Sequence, residues 1–73
     1  MNKDLKRDIE EALRCEDFVA CYQDGDYIVS NPFSMSVFVD GGEITWDRKT
    51  KTVTSAGADP KLVEEIKEIV REL

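Results

Sequence analysis

The residues with chemistry to offer are mostly carboxylates. Sixteen Asp and Glu stand against ten Lys and Arg, giving a net charge of −6, and there is no histidine. Asp24, Asp26, Asp40 and Glu43 flank two glycine turns, Asp24-Gly25 and Gly41-Gly42. Carboxylates gathered at turns can hold a hard cation through oxygen or attract a basic surface. Asp24-Gly25-Asp26 lacks the ligand series of an EF-hand loop. Turns on neighbouring hairpins also sit roughly 10 Å apart, too far to share one ion without a third group. No metal or other cofactor is expected, and the acidic rim is read as a steering surface for a basic partner. Turn chemistry alone also places Asp beside Gly.

Other chemistry is poorly supplied. Without histidine there is no Ser-His or Cys-His relay and no imidazole base. Gly41-Gly42 lacks the helix and lysine that complete a phosphate loop. The chain is therefore not expected to be an enzyme. Cys15 and Cys21 are its two cysteines, and their spacing is neither a Cys-x-x-Cys motif nor part of a zinc set. Cys15 falls near a helix C-terminus, where the dipole disfavours thiolate, and Cys21 has no basic neighbour. The two thiols are expected on opposite sides of the sheet and unjoined, since a disulfide needs Cα atoms within about 7 Å.

Arg48, Lys49 and Lys51, with Trp46 nearby, raise single-stranded nucleic acid as a rival ligand. Sheet platforms for single strands carry aromatics on an open face. Here Tyr22, Tyr27 and Trp46 are assigned to the covered face, and only Phe38 remains open. The average field also repels phosphate, so nucleic acid is not the favoured partner.

Elements must position these groups. Leu5, Ile9, Ala12 and Leu13 follow helical spacing and predict a first helix from Asn2, its cap, to Arg14. Asp59-Pro60 opens a second helix running to Leu73, with Leu62, Val63, Ile66, Ile69, Val70 and Leu73 as its buried stripe. Between them, strands are predicted at about 17–23, 26–30, 34–40, 43–47 and 51–55 from alternation and turn signals. Two-residue turns at Asp24-Gly25 and Gly41-Gly42 would pair Tyr22 with Tyr27, Ala20 with Val29, Val39 with Ile44, and Val37 with Trp46. One apolar face results: Phe18, Ala20, Tyr22, Tyr27, Val29, Met35, Val37, Val39, Ile44, Trp46 and Val53.

The fold class is accordingly α+β: a two-layer sandwich, an antiparallel five-strand meander with both terminal helices on one face, in a single α-β5-α domain over 1–73. Val19, Cys21, Ile28 and Phe38 are left on the open face, where an uncovered apolar patch marks a partner site. Together with Asp24, Asp26, Asp40 and Glu43 they form the candidate partner-binding set. No apolar run approaches the roughly 18 residues of a membrane span. The charged start lacks the apolar core of a secretory signal, and the reading is cytoplasmic. The function expected is a small acidic protein–protein interaction module, such as a phage or mobile-element inhibitor or adaptor occupying a partner's basic, nucleic-acid-binding surface. A homodimer through the open face or an edge strand is a further expectation. The alternatives are a designed or structural scaffold with no natural partner, and a single-strand binder using the Arg48–Lys51 loop.

Overall fold

A computed structural model describes residues 3–73. Its elements are α1 (Lys3–Arg14), β1 (Phe18–Cys21), β2 (Tyr27–Ser30), β3 (Ser34–Val39), β4 (Gly42–Asp47), β5 (Thr52–Ala56) and α2 (Pro60–Arg71). Asn2, expected to cap α1, lies outside the described residues. The strands form one antiparallel sheet in the order β1-β2-β3-β4-β5, so the α+β meander expected from sequence is the architecture observed.

The core joins three apolar surfaces. Leu5, Ile9, Ala12 and Leu13 of α1, and Leu62, Val63 and Ile66 of α2, pack on Ile28, Met35, Val37, Ile44 and Trp46 of the sheet. α1 lies over β1, β2 and β3, while α2 packs on β5 and against α1. Asp59 caps α2 by accepting from the Lys61 amide at 3.0 Å, and Pro60 follows it in the first turn, where no amide hydrogen is needed. The stripe of α2 fades toward its end: Ile69 and Val70 are half-buried, and Leu73, expected in the core, is 49% exposed beyond the helix.

Both hairpin registers differ from expectation, with unlike consequences. In the first, Gly25 alone takes positive φ (91°), its amide donates to Tyr22 O, and the Tyr22 amide donates to Asp26 O. The connection is thus a three-residue loop, a turn with glycine in the left-handed position, and not a two-residue type I′ turn. The added residue moves the ladder by one, pairing Phe18 with Ser30, Ala20 with Ile28, and Cys21 with Tyr27. Because side chains alternate, a one-residue shift inverts the strand. Ile28 and Ser30 go into the core, at 0% and 2% exposure, and Tyr27 and Val29 go to the open face.

In the second hairpin the two-residue turn is Asp40-Gly41, with φ of 53° and 77°. Val39 therefore pairs with Gly42, Val37 with Ile44, and Met35 with Trp46. This shift is two residues, so every side chain keeps its expected face. Gly42 belongs to β4, and its lack of a side chain serves close packing: a Cβ there would lie 2.5 Å from Gly57 O and 2.8 Å from Ala58 Cα.

Candidate functional site

The sheet's uncovered face is organised in cross-strand rows. One runs Cys21, Tyr27, Phe38, Glu43 and Ala56, and the next runs Val19, Val29, Ser36, Thr45 and Thr54. Apolar side chains gather at the β1–β3 side, hydroxyls and acids at the β4–β5 side. Tyr27 and Phe38, paired across β2 and β3, stack with ring centroids 4.3 Å apart and planes 17° apart. Val19 is 65% exposed and Cys21 is exposed beside Tyr27.

Of the apolar set expected here, Val19, Cys21 and Phe38 are in place. Ile28 is not: it is a core residue beneath α1, because the longer first turn inverts β2. Tyr27 and Val29 take its place, so the patch is larger and more aromatic than the sequence reading held. The signal that could have found them is Asp24-Gly25 itself, which suits a three-residue loop as well as a two-residue one.

The four expected acids do assemble at one end of the sheet. Asp26 Oδ1 accepts from the Asp40 amide at 3.2 Å, and Asp24 Oδ1 accepts from the Asp26 amide at 3.3 Å. The turns thus touch, closer than the roughly 10 Å that strand spacing suggested. On the open side, a recess of about 270 Å³ is lined by Asp24, Gly25, Asp26, Phe38, Gly41, Gly42 and Glu43. On the helix side, Asp24, Asp26, Asp40 and Asp59 border a recess of about 220 Å³ floored by apolar residues that include Leu5, Val39 and Leu62. Among the described residues, no three His, Cys, Asp or Glu side chains are arranged to hold a metal ion.

The opposite end differs from its sequence reading. Arg48 is engaged within the fold, where it closes the C-terminus of α1. Its guanidinium donates to Leu13 O (3.1 Å), Ala12 O (3.0 Å), Cys15 O (2.6 Å) and Asn31 O (2.8 Å), and to the Ser30 hydroxyl. It also lies 4.9 Å from the centroid of the Trp46 ring. Helix ends leave their last carbonyls unpaired, and a cation there also meets the negative end of the dipole. Ser30 shares the task, its one hydroxyl proton lying within reach of Ala12 O (2.8 Å) and Cys15 O (2.7 Å). Trp46, with Arg48 over it, is in the core. Lys49 and Lys51 stay exposed, and beside Lys49 Phe33 projects at 81% exposure on backbone pinned by Asn31 Oδ1 (2.8 Å) and by the Arg48 amide (3.0 Å). Sequence reasoning missed Phe33, which sits in a Ser/Asn/Pro stretch without periodicity.

Three titrating groups report local environments. Burial, then the hydrogen bond from its hydroxyl to Asp8 Oδ2 (2.5 Å), pushes the Tyr22 phenol well above its ordinary value. Burial and the Glu11 carboxylate raise the Cys15 thiol, leaving it a poor nucleophile. Amides of Thr50 and Lys49 hold the Asp47 carboxyl below the usual range. Cys15 and Cys21 are both free.

Comparison with known proteins finds no match to this chain among family models, curated proteins or solved structures. Among the described residues, no helix is long and apolar enough to cross a membrane.

Proposed function

We propose that this chain is a small protein–protein interaction module that docks its open sheet face on a basic surface of another protein. One observation carries the reading: Val19, Cys21, Tyr27, Val29 and Phe38 form neighbouring apolar positions on the sheet face that no element among the described residues covers, directly beside an acidic recess. Apolar centres with a charged border are the pattern of partner sites, and an acidic border speeds encounter with a basic partner. An acidic domain of this size suits a cytoplasmic inhibitor or adaptor, of the kind phages and mobile elements encode, that occupies a nucleic-acid-binding surface.

The Tyr27–Phe38 stack also favours a second reading, a platform for single-stranded bases. Electrostatics weigh against it, since the adjoining recess is lined by Asp24, Asp26 and Glu43, while Arg48 is engaged in the fold.

Affinity capture from the source cell's lysate tests the proposal, comparing wild type with Val19→Asp, Phe38→Asp and the Asp24→Lys/Asp40→Lys double variant. Circular dichroism checks that each is folded. A partner lost with Val19→Asp and Phe38→Asp, and weakened by the double variant, is the expected result. Retention of that partner by folded Val19→Asp and Phe38→Asp would overturn it. Salt-sensitive binding of an oligonucleotide at low ionic strength would install the second reading instead.

A further inference from the structure

The recess beside Phe38 is more specific than a general acidic rim. Along its cross-strand row, Phe38 has Tyr27 on one side and Glu43 on the other. The Tyr27 ring stacks on one face of Phe38 at 4.3 Å. The other face is therefore turned toward β4, and the recess of about 270 Å³ is lined by Phe38, Glu43, Asp24 and Asp26. Among the described residues no Lys or Arg lines it, and the other lining residues are the glycines at 25, 41 and 42. Space beside Gly25 and Gly41 is open to 4 Å around a would-be Cβ, and both hold positive φ, so this wall is backbone by conformational need.

We propose that this recess is an arginine slot: a guanidinium from a partner's basic segment lies against the free face of Phe38 and donates its hydrogen bonds to the carboxylates of Glu43, Asp24 and Asp26. The inference rests on the docking reading and names the side chain that would anchor it. A flat ring beside carboxylates matches the guanidinium, which is planar, weakly hydrated and able to stack while donating in a fork. Lysine brings the same charge as a compact, strongly hydrated ammonium without a plane to stack. A nucleobase could stack on Phe38 as well, but its phosphates would meet the same carboxylates. Once the arginine is seated, the remainder of the partner covers Tyr27, Val29 and Val19.

The test is a ¹⁵N amide-shift titration of the whole chain at low salt. Its probes are two blocked glycine-serine peptides, alike except for one central arginine or lysine. The arginine peptide is expected to shift the amides of 24–27 and 38–43, and to bind about 2- to 5-fold more tightly than the lysine peptide, the advantage of an exposed cation–π contact. Phe38→Leu should abolish that preference while leaving the spectrum otherwise native, and Glu43→Gln should weaken both peptides. Equal affinity for the two peptides on wild type, or shifts confined elsewhere, would overturn the slot. Equal affinity alongside a captured partner that Val19→Asp releases would sink the slot alone. Arginine preference with a partner indifferent to Val19→Asp and Phe38→Asp would sink the docking face.

Discussion

The β1–β2 and β3–β4 hairpins each turn on an Asp-Gly pair, and they use it in different ways. In β3–β4 both residues adopt left-handed backbone, Asp40 at φ 53° and Gly41 at φ 77°, and the pair is the entire loop. In β1–β2 only Gly25 does so, Asp24 stays right-handed or extended, and Gln23 joins them in a three-residue loop. One hairpin closes on its local preference. The other yields to what lies above it, since Ile28 must reach the core and Ser30 must reach the end of α1. Local turn chemistry sets register only where the packing of the whole domain has no competing demand.

The sharpest way to break this comparison is at β2. Ile28→Ala should cost about 2–5 kcal/mol, the range for emptying a core site, whereas Val29→Ala on the open face should cost well under about 1 kcal/mol. Urea unfolding of both variants reads the difference, and the reverse order would restore the shorter turn. Arg48→Lys comes next. A point charge cannot replace a guanidinium that bonds four carbonyls and a hydroxyl, so a loss of about 2–3 kcal/mol is expected in the same assay.

Gly42→Ala tests the second hairpin. The added methyl meets the Gly57 carbonyl at 2.5 Å, and overpacking of this kind costs about 1–3 kcal/mol. A neutral result would mean that the chain between β5 and α2 can move away. Tyr22→Phe examines the clamp between the first loop and α1, with an expected loss of about 1 kcal/mol at neutral pH. Here the sign with pH follows from linkage. The folded phenol holds its proton more tightly than the unfolded one. Its contribution is therefore full below about pH 10, where free tyrosine titrates, and is lost as pH rises toward the folded value. Denaturation of wild type and Tyr22→Phe at successive alkaline pH values should converge. The smallest effect is expected from deleting Gln23. Tyr22 and Asp26 would then close on Asp24-Gly25 as a two-residue loop with register unchanged, so stability should move by less than about 1 kcal/mol and amide shifts in β2 should persist.

Legibility followed the range of the interaction. Both helices were readable because spacing and caps are local: Leu5, Ile9, Ala12 and Leu13 are buried as expected, and Asp59 caps α2. Strand number and order were readable because short connections make sequence neighbours into sheet neighbours. The candidate site was readable in part. The acids at 24, 26, 40 and 43 follow from which end of the sheet the turns occupy, and Val19, Cys21 and Phe38 from alternation within their strands. Ile28 was misplaced, and Tyr27 and Val29 went unseen, because one extra loop residue reverses parity. Arg48 looked like a ligand for phosphate because its partners, the carbonyls of Ala12, Leu13 and Cys15, are more than thirty residues away.

By itself, then, the sequence determined the elements, their order, the stripe of α1, the first part of the stripe of α2 and the gathering of acids at one end of the sheet, since each depends on periodicity or on neighbours a few residues apart. Tertiary structure alone decided which face of β2 is buried, which glycine is a turn and which a packing point, and that Arg48 belongs to the fold. Each of those is a choice between local arrangements of similar energy. The choice is made by contacts with α1 and with the backbone around Gly57, where one buried hydroxyl, one guanidinium and one missing methyl tip the balance.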